Sequence, residues 1–324
     1  MPAVRGHFCL EIPMKKLLIA ALFLPLCALA DDTPPPAPDQ SIPADPAAVT
    51  QPAAALPTIP LPEKTVEKNR TLYEREFENF YQSPEDFSIT NVSSGLSTHK
   101  PMYLLPYTYS STYSGRHAEV VFQISAKQKL FGSNFFVGYT QQSFWQLYNR
   151  KESSPFRETV YNPEVFYRWI GEGDWLKNLG ADGGFEHQSN GKNLPDSRSW
   201  NRFYVAPFLA YGKTLIYLKA WYRLPEKAKT GPTDSEGDDN PDIERYLGHG
   251  ELQIQQQLFT NHLAHLKLRA NTNTGKGAIA FNYSIPSKNG ATYYSLNFFS
   301  GYGESLIDYN QRITRIGFGV MLAR

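Results

Sequence analysis

The stretch Phe185-Glu186-His187-Gln188-Ser189-Asn190-Gly191, resumed after a short loop by Ser197-Arg198-Ser199-Trp200-Asn201-Arg202, decides how this chain reads. Its pattern predicts one β-hairpin. Side chains two residues apart on a strand leave the same face. Phe185, His187 and Ser189 therefore share one side, and Glu186 and Gln188 the other. On the second strand Asn201, Phe203, Val205 and Leu209 share a face, opposite Trp200, Arg202 and Tyr204. The side carrying His187, Ser189 and Asn201 is thus the apolar one. A serine hydroxyl becomes a nucleophile when a neighbouring base takes its proton, and that base needs a third group to hold its tautomer. All three kinds of group are present. In a soluble protein the apolar face would bury them; in a membrane-spanning barrel it faces lipid. A hydrolytic site turned towards lipid implies a lipid substrate.

The same alternation recurs outward from this hairpin. Val120, Phe122, Ile124 and Ala126 alternate with Glu119, Gln123 and Lys127, and Ile216, Leu218, Ala220 and Tyr222 alternate with Lys219 and Arg223. Leu266, Leu268 and Ala270 alternate with Lys267, Arg269 and Asn271; Ile316, Phe318, Val320 and Leu322 close the chain. A period of two with turn clusters between segments marks strands and hairpins. About twelve such segments fall between Met102 and Arg324, the even number a closed bacterial barrel requires. The expected fold is therefore all-β: a twelve-stranded antiparallel transmembrane β-barrel. Tyr and Phe number 20 each and aromatics make up 14% of the chain, which suits girdles at two membrane interfaces. A soluble all-β sandwich or barrel shares the alternation, and the N-terminus weighs towards the membrane barrel.

Met14-Lys15-Lys16 followed by Leu17 to Leu26 and Ala28-Leu29-Ala30 has the basic start, short apolar centre and small-residue site of a secretory signal, cut before Asp31. Cys9 and Cys27 both precede that cut, so the mature chain would hold no thiol for catalysis or metal binding. Losing Arg5, Glu11, Lys15 and Lys16 takes the formal charge from +1 to −1, which offers nothing to nucleic acid. The expected organisation is a removed segment over 1–30, a periplasmic segment over 31–98 and the barrel over 99–324. Residues 31 to about 63 form a Pro- and Ala-rich tail expected to be disordered. A short helix is expected near Thr71–Tyr81.

The run His187–Gly191 with Ser197–Arg202 resembles the outer-membrane phospholipase A family. So do Ser153-Ser154-Pro155-Phe156-Arg157-Glu158-Thr159, Asp239-Asn240-Pro241-Asp242 and the run from Ser300 through Gly301-Tyr302-Gly303-Glu304-Ser305 to Asn310. Together the matches span roughly Phe87 to Met321. The resemblance implies a calcium-dependent carboxylic ester hydrolase of the bacterial outer membrane, cleaving sn-1 and sn-2 acyl esters of phospholipids and lysophospholipids. It implies Ser189 as nucleophile, His187 as general base and then acid, and Asn201 as orienter, with the oxyanion met by the Ser189 N–H and calcium-polarised water. The small Gly191 leaves room for that site. It further implies Ca²⁺ held by the Lys192 carbonyl, the Ser197 side chain and Ser153 of the partner subunit, in a reversible homodimer that is the active form. Leu194 stands where family members can carry a carboxylate, with Asp196 two residues on; that departure bears on calcium affinity and on any second site involving Asp239.

Parity also marks a candidate dimer contact at Gln141, with a local hydrogen bond to a neighbouring strand as the alternative. Phe135, Val137, Tyr139, Gln141, Ser143, Trp145 and Leu147 share the lipid face, and an amide there is costly unless it finds a partner. The family uses a glutamine at the position that Gln141 matches. The opposite parity places Glu119, Lys127, Glu158, Glu164, Arg168, Lys219 and Arg223 inside the barrel, as a paired interior rather than an open pore. The competing readings are a catalytically inactive small porin and a purely structural outer-membrane barrel. Neither gives a reason for His, Ser and Asn to meet on the lipid face. The chain ends Leu322-Ala323-Arg324 rather than on an aromatic residue, and Arg324 is expected to snorkel at the interface.

Overall fold

The computed structural model describes residues 96–324 apart from 132, 173, 174, 177, 232, 233, 235 and 289–291. The chain divides into two units, 1–64 and 65–324, and the described residues belong to the second. The expected signal sequence, the expected Pro-rich tail and the expected short helix near Thr71–Tyr81 fall outside the described residues.

Among the described residues thirteen strands follow one another: β1 (Leu96–Thr98), β2 (Met102–Ser110), β3 (Glu119–Lys129), β4 (Phe135–Trp145), β5 (Phe156–Ile170), β6 (Leu179–Ser189), β7 (Ser199–Tyr211), β8 (Thr214–Arg223), β9 (Gly250–Leu258), β10 (His262–Asn271), β11 (Lys276–Pro286), β12 (Tyr293–Gly301) and β13 (Ile313–Ala323). A five-residue helix, α1 (Ile243–Leu247), sits between β8 and β9. Each of β2 to β13 pairs antiparallel with the next, and β13 returns to β2, so twelve strands close a ring. The strand left over, β1, lies in line with β2 along the same neighbour. β2 pairs with β3 at Tyr103↔Gln123, whereas β1 pairs with the same strand further along, at Thr98↔Ala126 and Leu96↔Gln128. The break at 99–101 contains Pro101, which has no N–H to give to a ladder.

Side-chain parity sorts into lipid-directed and interior faces as the alternation predicts. On β7, Phe203 and Val205 are 53% and 54% exposed while Trp200 and Ala206 are fully buried, so one parity of the strand faces outward and the other packs into the interior. That interior is ionic. Glu119 accepts from Arg157 Nε at 2.6 Å and from Arg315 Nη2 at 2.7 Å. Glu164 pairs with Lys100 at 2.8 Å and accepts from the Tyr204 hydroxyl at 2.8 Å. Glu186 lies 2.9 Å from Lys219 and 3.1 Å from Arg202. Buried charges persist only when paired in this way. They surround a cavity of about 420 Å³.

At one end of the barrel Trp200, Trp221, Ile243, Leu247, Leu306 and Tyr309 form one buried cluster. α1 and the β12–β13 connection therefore pack over the end where the β6–β7 hairpin turns. Arg324 does reach back as a polar anchor: it donates to the Asn261 carbonyl at 2.7 Å and stacks over the Tyr293 ring at 3.9 Å.

Candidate active site

The β6–β7 ladder pairs His187 directly with Asn201 and Ser189 with Ser199. Direct cross-strand partners bring their side chains together on one face, and His187 Nδ1 lies 2.9 Å from Asn201 Oδ1. An amide oxygen only accepts, so this contact requires the proton on Nδ1 and leaves the Nε2 lone pair free, the tautomer a general base needs. Ser189 follows two residues on, on the same face. His187, Ser189 and Asn201 are all half-buried. Among the described residues the His187–Asn201 hydrogen bond is formed and none joins Ser189 Oγ to His187. Catalytic hydrogen bonds commonly tighten only when substrate is bound.

The connection between β6 and β7 is fixed by Asn190, to which the sequence reading gave no role of its own. Its buried side chain donates to the Asp196 carbonyl at 2.8 Å and to Glu158 Oε1 at 3.0 Å. Its oxygen accepts from the Arg198 N–H at 2.9 Å and the Lys192 N–H at 3.3 Å. All the bonding capacity of one amide thus goes into shaping the loop that carries Lys192 and Ser197. Gly191 enters this loop with φ +63°, and a Cβ there would sit 3.1 Å from the Tyr161 ring. Conformation and space both select glycine.

The Asp239–Asp242 motif braces the same hairpin. Ser197 Oγ donates to Asp239 Oδ2 at 2.6 Å, Asn240 Oδ1 accepts from the Ser199 N–H at 3.0 Å, and Asp242 accepts from the Tyr309 hydroxyl. Of the other matched runs, Arg157 binds both Asp308 and Ser305, which joins the β4–β5 and β12–β13 ends of the barrel.

Ser197 and Asp239 together present hydroxyl and carboxylate oxygens beside the exposed Asn193–Asp196 loop, and an all-oxygen set of this kind suits Ca²⁺. Lys229 binds the other Asp239 oxygen at 2.5 Å. Ser153 stands apart in the β4–β5 connection, exposed and in the left-handed region at φ 59°. Among the described residues no hydrogen bond links it to Lys192 or Ser197. Gln141 lies on the outer face, where Tyr139 donates to its oxygen at 3.0 Å and its nitrogen donates to Ser143 Oγ at 3.3 Å.

One further group completes the surroundings of Asn201. Its Nδ2 donates to Glu226 Oε1 at 3.2 Å. Burial, then the neighbouring Asp238 charge, push the Glu226 carboxyl above its ordinary range, with the Asn201 hydrogen bond acting in the opposite sense. Glu226 carries no pattern signal and was not visible in the sequence.

The family model described as phospholipase A1 matches residues 85–322. The putative phospholipase A1 of Neisseria meningitidis serogroup B is 38% identical over 259 residues, 70% of this chain and 65% of that protein's length. The phospholipase A1 of Salmonella typhimurium is 42% identical over 228 residues, 66% of this chain and 73% of that protein. Among solved structures, the Salmonella typhi outer membrane phospholipase, a dimer with bound calcium, superposes with a TM-score of 0.62 at 34% identity, over 76% of this chain and 96% of that one. With most of the barrel matched by sequence and by fold, the chain belongs to the phospholipase A1 family.

Proposed function

We propose that the protein is an outer-membrane phospholipase that hydrolyses the acyl esters of phospholipids from the lipid-directed face of its barrel. The observation that carries this reading is the 2.9 Å contact between His187 Nδ1 and Asn201 Oδ1, made on the same outward face as Ser189. Ser189 Oγ attacks the ester carbonyl while His187 Nε2 takes its proton. His187 then returns that proton to the departing lysophospholipid hydroxyl, leaving an acyl-serine. Water, deprotonated by His187, releases the fatty acid and restores Ser189. Asn201 holds the imidazole in register through both transfers; being neutral, it stabilises the imidazolium less than a carboxylate would. The Ser189 N–H donates to the oxyanion.

Ca²⁺ held by the Lys192 carbonyl, Ser197 and Ser153 of the partner subunit would supply a polarised water and positive charge near the oxyanion. With Ser153 supplied by the partner, a full ligand set would take two copies. Dimerisation, with Gln141 at the contact, would therefore switch activity on. Export by a cleaved signal over 1–30 delivers the barrel to the outer membrane.

The test is fatty-acid release from phospholipid in mixed micelles by the refolded chain, with calcium, with chelator and with Ser189→Ala. Calcium-dependent release that disappears in the variant is expected. Undiminished release by Ser189→Ala would overturn the assignment. No release from folded, dimeric, calcium-loaded protein would leave a diffusion pore as the leading account, with conductance the next measurement.

A further inference from the structure

The amide of Asn201 has two ends of nearly the same shape and opposite chemistry. Only one is useful. If Nδ2 faced His187, its N–H would need a lone pair on Nδ1, the imidazole proton would move to Nε2, and no base would face Ser189. Something must break this symmetry, and on the far side of the amide stands Glu226 Oε1 at 3.2 Å. An ionised carboxylate can only accept hydrogen bonds, so it selects the orientation that turns Oδ1 towards His187. Resting on the serine–histidine–asparagine reading above, we propose that Glu226 is a positioning residue of this site: it orients the Asn201 amide and, through it, sets the His187 tautomer.

The backbone around Glu226 is built to hold it there. β8 ends at Arg223, but the ladder continues for one bond, from the Leu224 N–H to the Asn201 carbonyl at 2.8 Å. Pro225 follows with its fixed φ. One residue beyond Glu226, the Lys227 carbonyl accepts from the Asp238 N–H at 2.8 Å. Glu226 is thus pinned on both sides, and its first anchor is the very residue it orients. The charged groups acting on it are Asp238 and Asp239, which oppose its ionisation, and Arg223, which favours it. Arg223 is itself engaged by Asp238 at 2.7 Å. The carboxylate is therefore left to Asn201.

The experiment is a double-mutant cycle on the full chain in calcium-containing mixed micelles. It uses Glu226→Ala, Asn201→Ala and the double variant, with Glu226→Gln and Ser189→Ala alongside and circular dichroism confirming the barrel. Glu226→Ala is expected to lower kcat about tenfold with KM unchanged. Glu226→Gln, whose amide can present either end, should recover part of that loss. In the Asn201→Ala background, removing Glu226 should cost nothing further. An equal loss in both backgrounds, a change confined to KM, or an unchanged kcat would overturn the proposal while leaving the triad standing. Retained activity in Ser189→Ala would remove the triad and this proposal with it.

Discussion

His187 and Asn201 face each other directly across the β6–β7 ladder, with Nδ1 2.9 Å from Oδ1, on the face that also carries the outward Phe203 and Val205. Their register is set by the sheet itself, so Asn201 cannot drift from His187 without breaking strand pairing. A hydrogen bond to a charged imidazole is worth about 1.5–3 kcal/mol. Asn201→Ala is expected to lower kcat by about 10- to 100-fold and to leave KM within a factor of about two. Steady-state kinetics on micellar phospholipid checks both figures.

Asn190 reaches Glu158, Asp196, Lys192 and Arg198 with one side chain. Asn190→Ala should loosen the loop that presents Lys192 and Ser197 while sparing the His187–Asn201 contact. The calcium concentration for half-maximal activity should rise about tenfold, with little change in kcat at saturating calcium. A calcium titration of activity separates the two effects.

Gln141 is satisfied within its own strand by Tyr139 and Ser143, yet its amide retains one donor for a second copy. Gln141→Ala should weaken self-association by about 0.6–2 kcal/mol. Sedimentation in detergent with calcium would show this as a shift towards monomer, and activity per chain should fall in parallel.

Glu119 is fully buried between Arg157 and Arg315. Glu119→Ala leaves two guanidiniums facing one another, although Arg157 keeps Asp308 and Arg315 keeps Glu304. The expected loss is about 3 kcal/mol, at the lower end for breaking a buried pair because of those remaining partners. Urea unfolding in micelles measures it.

The raised Glu226 carboxyl binds its proton more tightly in the folded protein than in the unfolded chain. Its contribution to stability therefore falls as pH rises from the ordinary carboxylate value through the raised one, and the ionised group opposes folding at neutral pH. Glu226→Gln should accordingly raise the thermal midpoint at pH 7, with the difference vanishing below about pH 4. A residue that costs stability while serving a site is a known trade-off.

Much of the barrel was legible because lipid enforces the period of two strictly. Phe203 and Val205 turn outward, and Trp200, Arg202 and Tyr204 turn inward, as their parity predicts. The split of the first strand was not legible: Leu96–Thr98 is too short to show a period, and only its pairing with β3 reveals that it continues β2 past Pro101. At the site, parity placed His187, Ser189 and Asn201 together. It could not reveal Asn190, whose four side-chain hydrogen bonds form only in the folded loop. Nor could it reveal Glu226, whose contact with Asn201 depends on how the β7–β8 ladder continues beyond Arg223. Asp239 and Asn240 were legible only as a resemblance; the structure shows that they hold Ser197 and the Ser199 N–H.

The roles proposed for Ser189 as nucleophile and His187 as its base stand or fall on treatment of the refolded, calcium-loaded chain with a long-chain alkyl fluorophosphonate, followed by peptide mass mapping. A single modification on Ser189 is expected, with loss of hydrolysis in step, and none on a His187→Ala variant. Labelling of another residue, or continued hydrolysis by fully modified protein, would contradict it.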